Sequence, residues 1–273
     1  MKRVMLIGKN SNLARAVLTS TSLNHEVFGL GREALMESYG WSESIVDKRC
    51  EAVVLLAGMT KINKVEANRS LAYEINYKAP VRMIHFLNDF GIRCLFVSSS
   101  SVFGKCSEER YEDSIKSPDS YYGLLKSLVE DEIMMSGLNT VVRLTKVFRR
   151  DSILNEWRYK LTQSQSIRAF TNHRVSPISR VLFAEFVNRF ATEHMPGIYH
   201  ITADRDLNYF QLALEMSKFF GIDNSLIKPE LLYGDDGHAI SVLAAQLHVK
   251  RRESVVCELS TALPSIIKEA VQY

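Results

Sequence analysis

The chain has 273 residues, of which 46% are hydrophobic and 24% charged, with a formal net charge of +3. That is the make-up of an ordinary globular protein, and its weak, evenly spread basicity excludes nucleic acid as the natural partner. No stretch reaches the ~20 apolar residues of a membrane helix, and the basic start Met1-Lys2-Arg3 leads into an apolar run too short for a signal peptide.

Cys50, Cys94, Cys106 and Cys257 stand far apart, without metal-ligand or redox spacing. Free thiols, a cytoplasmic location and no metal site are therefore expected. Val4 to Ile7 is a short continuous apolar run, the mark of a strand buried on both faces. The turn Gly8-Lys-Asn10-Ser11-Asn12-Leu13 follows, and a helix reads from Ala14 to Leu18. In a dinucleotide fingerprint the glycines of such a turn let backbone and helix approach a pyrophosphate. Here Gly8-x-x-Ser11-x-x-Ala14 keeps only the first glycine, and Ser11 either offers a phosphate its hydroxyl or crowds it with its Cβ.

A second strand, His25 to Leu30, ends at Gly31-Arg32. A carboxylate at that point selects NAD(H) through the ribose 2′-hydroxyl, whereas an arginine accommodates the 2′-phosphate of NADP(H). Gly31 brings no carboxylate and Arg32 is placed to attract phosphate, unless it is a solvated side chain opening a helix. The third strand runs from Ala52 to Ala57 and ends in Gly58. The segment before it, residues 33–49, is short, so one strand of the sheet is expected to be missing or irregular.

Val65 to Phe90 form one long helical pattern, with Leu71, Ile75, Val81, Ile84, His85 and Leu87 on recurring positions, stopped by Gly91. Cys94 to Val97 is a strand that runs into Ser98-Ser99-Ser100-Ser101. Tyr121 to Met135 reads as a helix capped by Ser120 or Asp119, and Thr140 to Leu144 as another strand. The alternation predicts an α/β fold, a doubly wound Rossmann-like parallel sheet, over residues 1–148.

Beyond Phe148 the alternation is lost, although Arg180 to Thr192 and Tyr209 to Phe220 read as helices and Ile198 to Ile201 as a short strand. Residues 149–273 are expected to form mainly a small C-terminal substrate-binding lobe over the carboxyl edge of the sheet, with some segments returning to the core. Phe183, Phe186 and Phe190 sit at helical spacing and belong to the core. His85 reads as a core or helix residue, and His194, His200, His238 and His248 lack metal-ligand spacing.

Tyr122-Gly-Leu-Leu-Lys126 carries the chemistry. Four residues apart on a helix, phenol and ammonium share one face. A nearby cation lowers a tyrosine pKa from about 10 towards the range of a working proton donor. A serine hydroxyl at the end of a strand would polarise a substrate oxygen. Such a pair is also common surface decoration; the strand and serines ahead of it give it weight.

These features resemble the extended short-chain dehydrogenase/reductase family, on the side of the dTDP-4-dehydrorhamnose reductases and other nucleotide-diphosphate-sugar enzymes. The strings that carry the likeness are Leu55-Leu-Ala-Gly-Met-Thr-Lys61, Tyr73-Glu-Ile-Asn-Tyr-Lys-Ala-Pro80, Phe96-Val-Ser-Ser-Ser-Ser-Val-Phe-Gly104, Tyr121-Tyr-Gly-Leu-Leu-Lys-Ser-Leu-Val-Glu130 and Val142-Arg-Leu-Thr-Lys-Val-Phe148. Val175-Ser-Pro-Ile-Ser179 and Gly197-Ile-Tyr-His-Ile-Thr202 are looser matches. The resemblance implies Tyr122 as proton donor or acceptor, Lys126 as the group that tunes it and holds the nicotinamide ribose, and Ser99 as the hydroxyl. It implies Ala57, Gly58, Met59, Asn76, Val97, Thr145 and Val147 along the cofactor path, and Ser100, Arg168, His173 and Arg174 toward substrate, with Arg251 and Arg252 as weaker candidates. The expected activity is NADPH-dependent reduction of a nucleotide-diphosphate 4-keto-sugar in surface-polysaccharide or deoxysugar synthesis, with NAD(H) possible, by a homodimer. An epimerase or dehydratase with tightly held NAD, or a catalytically silent binding subunit, are the alternatives. Ser100 and Ser101, in place of a carboxylate, count against a dehydratase.

Overall fold

The computed structural model describes residues 1–20, 25–36, 40–104, 109–148, 152–233, 247 and 254–271. The sheet is built from β1 (Lys2–Ile7), β2 (His25–Leu30), β3 (Ala52–Leu55), β4 (Arg93–Ser99), β5 (Thr140–Leu144), β6 (Gly197–Ala203) and β7 (Val255–Cys257). Its seven strands run in the order β7-β6-β5-β4-β3-β1-β2, and all neighbours are parallel. The chain leaves β1 for β2 on one side and returns to β3 on the other, so the order reverses at β1. In open parallel sheets that reversal creates a ligand crevice at the carboxyl ends.

The helices are α1 (Asn12–Leu18), α2 (Gly40–Asp47), α3 (Ile62–Ala67), α4 (Arg69–Tyr73), α5 (Ala79–Asp89) and α6 (Tyr121–Met134), then α7 (Ile153–Thr162), α8 (Arg180–Thr192), α9 (Tyr209–Phe220) and α10 (Leu259–Val271). Alternate strand residues explain the two covered faces. Val4, Leu6, Val54, Leu95 and Val142 pack with Ala14 and Val17 of α1 and with Phe183, Phe186 and Phe190 of α8. Met5, Ile7, Val53, Phe96 and Val141 pack instead with Trp41 and Ile45 of α2, Met83 and Leu87 of α5, and Val129 and Ile133 of α6. A further core gathers α7, α9 and α10 around Ile167, Ala169, Val175 and Ile227.

The expected missing or irregular strand is not found among the described residues: β2 pairs with β1 in unbroken register from His25 to Leu30 as the edge strand, and a single 3₁₀ turn (Glu33–Leu35) and α2 lead back to β3. The pattern from Val65 to Phe90 is not one helix. Asn68, with φ −136° and ψ 55°, separates α3 from α4, and a π-helical turn (Glu74–Lys78) joins α4 to α5. Pro80, at the start of α5, has no amide to bond the carbonyl four residues back, that of Asn76, and the wider turn absorbs the gap. No helix among the described residues is long and apolar enough to cross a membrane.

Candidate active site

The site is built where the end of β4 meets the first turn of α6. Ser120 caps α6, its Oγ accepting from the Gly123 amide at 3.1 Å. Gly123 is what lets the helix come close: a Cβ there would lie 2.2 Å from the Ser101 carbonyl oxygen. Ser99 caps the 3₁₀ turn Ser100–Phe103, accepting from the Ser101 amide at 3.2 Å, with the Ser101 hydroxyl at 3.1 Å. On the abutting helix the Tyr122 phenol comes near enough to Ser99 for the serine hydroxyl to influence its ionisation. Lys126, one turn on, donates to the Val97 carbonyl oxygen at 2.8 Å. Its Nζ lies 4.4 Å from the Phe96 ring centroid and 5.9 Å from that of Tyr122. Ser99, Tyr122 and Lys126 are thus brought together, with Val97 serving through its carbonyl.

The electrostatics differ from the sequence expectation. Burial pushes the Tyr122 phenol up to about 12, with the Ser99 hydroxyl acting in the other direction. Burial also holds the Lys126 ammonium down at about 8, against the pull of Glu130. The lysine does not depress the phenol, because both groups are desolvated and the ammonium is turned to Val97 and Phe96. At neutral pH the pair is a protonated phenol beside a weakly held cation, a combination suited to giving a proton away.

Behind Lys126 lies a buried ionic network that sequence reading missed. Arg143 of β5 donates to the Glu130 carboxylate, Nη2 to Oε2 at 2.8 Å and Nε to Oε1 at 3.1 Å. Ser98 Oγ donates to the same carboxylate at 2.5 Å, and Lys116 Nζ stands 3.7 Å from it. Ser98, Arg143 and His200 lie side by side on β4, β5 and β6, and Arg143 Nη1 is 3.4 Å from His200 Nε2. Ser254 extends the network, accepting from the His200 amide at 3.0 Å and donating to Glu112 at 2.6 Å. The one local clue was Glu130, four residues beyond Lys126 and so on the same face of α6.

The crevice at β1 is shaped by glycine. Gly8 has φ +104°, and a Cβ on it would meet the Ala57 amide nitrogen at 2.9 Å. The amides of Gly8 and Lys9 both donate to the Leu30 carbonyl, at 2.8 and 2.9 Å, tying the first turn to the end of β2. Ser11 spends its hydroxyl capping α1 through the Ala14 amide at 3.1 Å. Asn10 is exposed, and Asn12 and Leu13 are half-buried. Asn76, turned inward by the π turn, clamps Met59 through both main-chain groups, at 2.7 and 2.9 Å. Its Oδ1 would lie 3.1 Å from a Cβ on Gly58. Asn76 therefore fixes the 57–59 loop. Beside exposed Arg32, the Glu33 carboxylate folds back over Gly31, where a Cβ would lie 1.6 Å from its Oε1.

The remaining sequence candidates lie further along. Thr145 follows β5, and Lys146–Val147 pairs with Pro177–Ile178. Ser100 is half-buried in the serine turn. His173 packs edge-on against Tyr209, with ring centroids 4.7 Å apart. Arg174 is 3.9 Å from Asp206, and exposed Arg168 is 3.3 Å from Glu230. Arg251, Arg252, Cys106, His238 and His248 lie outside the described residues. His85 is not a core residue: its side chain is 61% exposed, 3.8 Å from Glu132. Among the described residues no group of three His, Cys, Asp or Glu could hold a metal ion.

Comparison with known proteins agrees with this architecture. A crystal structure of a dTDP-4-dehydrorhamnose reductase from Clostridium acetobutylicum superposes with a TM-score of 0.83 at 20% identity, over 97% of this chain and 98% of that one. The enzyme of that name from Bacillus anthracis, solved in complex with NADP, gives 0.83 at 15% identity, over 98% and 97%. A curated relative, methionine adenosyltransferase 2 subunit beta of Xenopus laevis, is 22% identical over 251 residues, 84% of this chain and 75% of its own. The model of the RmlD substrate binding domain family matches residues 1–261, and the chain belongs to that family.

Proposed function

We propose that the chain is a nicotinamide-dinucleotide-dependent reductase of a nucleotide-diphosphate 4-keto-sugar in surface-polysaccharide or deoxysugar synthesis. One observation carries this reading: Ser99, Tyr122 and Lys126 converge at the end of β4, with Tyr122 held as a neutral phenol in the neutral pH range. The named reductase relatives, one of them solved with NADP, support the class of substrate and cofactor. The crevice suits a dinucleotide because it lies at the carboxyl ends of the strands where the order reverses, with Gly8 letting the first turn close on Ala57 and Gly58 letting Asn76 hold the 57–59 loop. Gly8, Asn10, Ser11, Asn12, Leu13, Gly31, Arg32, Ala57, Gly58, Met59, Asn76, Val97, Thr145 and Val147 are its proposed lining. Bound there, a reduced nicotinamide supplies the hydride that adds to a ketone carbon. Ser99 polarises the ketone oxygen, Tyr122 gives it a proton, and Lys126 steadies the phenolate left behind. Ser100, Arg168, His173 and Arg174 are the proposed substrate contacts in a lobe formed mainly by residues 149–273. A planar guanidinium binds a diphosphate bidentately. A homodimer located in the cytoplasm completes the reading.

Tyr122→Phe keeps the ring and removes the transferable proton, so turnover should fall on the order of 10²–10⁴-fold with cofactor affinity little changed. Stopped-flow oxidation of the reduced dinucleotide with dTDP- and UDP-linked 4-keto-sugars measures this. Normal turnover in the variant would remove the basis of the proposal. A binding subunit is the second reading, favoured by the degraded glycine turn and by a curated relative that is named as a subunit. It predicts dinucleotide binding without turnover of any nucleotide sugar.

A further inference from the structure

Position 31 lacks a side chain, yet the place beside it is filled. A Cβ built on Gly31 would meet Glu33 Oε1 at 1.6 Å, Cδ at 2.2 Å and Oε2 at 2.5 Å. The Glu33 carboxylate therefore lies against the end of β2, on the side from which an acidic residue at 31 would project. Its backbone is fixed for the purpose. The 3₁₀ turn is closed by Leu35 N to Arg32 O at 3.1 Å and Met36 N to Glu33 O at 2.9 Å, and Ala34 and Leu35 are buried. Arg82 Nη2 holds the turn from below through the Leu35 carbonyl at 3.1 Å. The first turn is tied to the same spot, since Leu30 O accepts from both Gly8 and Lys9. No ion pair or hydrogen bond from a described residue occupies the Glu33 carboxylate.

We infer that Glu33, folded over Gly31, reads the adenosine ribose and gives this chain a preference for NAD(H) over NADP(H). This rests on the dinucleotide reading above and revises the expectation, drawn from the sequence, that Arg32 selects NADP(H). A carboxylate at the end of this strand accepts hydrogen bonds from the ribose 2′-hydroxyl and repels a 2′-phosphate. Arg32 attracts that phosphate, and both side chains are exposed, but it is the Glu33 carboxylate that stands over Gly31. Glycine at 31 is what makes room. Any larger residue would evict the carboxylate while leaving its charge in the chain.

Titration calorimetry of the full chain with NADH and with NADPH tests this by affinity rather than turnover. Wild type should bind NADH more tightly, on the order of tenfold or more. Glu33→Ala should bring the ratio to unity or reverse it, leaving Arg32 unopposed. Gly31→Ala should move the ratio the same way without changing net charge; the φ of Gly31 is not in the left-handed region, and the clashing atoms are the free end of a flexible side chain. Tighter NADPH binding by wild type, or a ratio unmoved by Gly31→Ala, overturns the inference and leaves the reductase reading standing. Failure of both dinucleotides to bind overturns both.

Discussion

Lys126 and Tyr122 carry opposite linkages between protonation and folding. Lys126 ionises at about 8 in the folded chain, against about 10.4 for a free lysine. Between those values the folded state holds fewer protons than the unfolded one, so stability rises with pH across that window and is lost as pH falls through about 8. Melting temperature measured from pH 8 to 10 should therefore climb more steeply in wild type than in Lys126→Met. Parallel curves would mean that the ammonium is not desolvated. Tyr122, raised to about 12, acts above that window and in the other sense, costing stability as pH passes 10. The residues themselves were legible because Ser, Tyr and Lys are chemically distinctive and Tyr122 and Lys126 are locally spaced. Glu33 was not, since a side chain folded back over a glycine two residues earlier leaves no periodic signal. The raised phenol was not legible either, because Tyr122 is buried against Val65 and Ala72, which lie on α3 and α4 and not on its own helix.

At the scale of elements, α6 does two jobs along one stripe: Tyr122, Lys126 and Glu130 follow at four-residue intervals. Glu130 is bound by Arg143 with both side chains 1% exposed. Removing one partner leaves a buried charge, so Arg143→Met alone should cost about 3–5 kcal/mol. The double variant Glu130→Leu with Arg143→Met should recover most of that, as urea melts of a double-mutant cycle would reveal. Additive losses would rule out direct coupling. Gly123→Ala presses a methyl into the Ser101 carbonyl and should cost about 1–3 kcal/mol, with the Ser99–Tyr122 contact loosened. Loss of turnover with unchanged circular dichroism would be the expected pair of results. Strands β1, β3 and β4 were readable from short apolar runs, and β2 and β5 from mixed segments set in the strand–helix alternation. The long helix was misread because Pro80 acts on Asn76 four residues back while the apolar spacing continues through it. Strand β7 has only three residues, too short for any pattern, and is a strand only because β6 offers it an edge.

For the whole molecule, the same helices present a second surface. Leu71, Leu124, Leu128 and Met135 are exposed on or next to α4 and α6, and we propose that they pair across a two-fold axis in a homodimer. Sedimentation at micromolar concentration should give a dimer, and Leu128→Glu a monomer that keeps its melting curve. A wild-type monomer would refute this. The doubly wound architecture was legible from strand–helix alternation, whereas residues beyond Phe148 were obscure because they serve two cores, one shared with the sheet through α8 and β6 and one of their own. That sharing has a consequence for synthesis. β5 ends at Leu144, but its outer neighbour β6 begins at Gly197 and β7 at Val255. On a ribosome adding roughly 5–20 residues per second, β5 waits several seconds as a bare hydrogen-bonding edge. Within Thr140-Val-Val-Arg-Leu144 the sole charge is Arg143, the residue later sealed against Glu130. Until β6 arrives, that arginine would be the only charge on the exposed edge to oppose pairing with a neighbour on the same polysome.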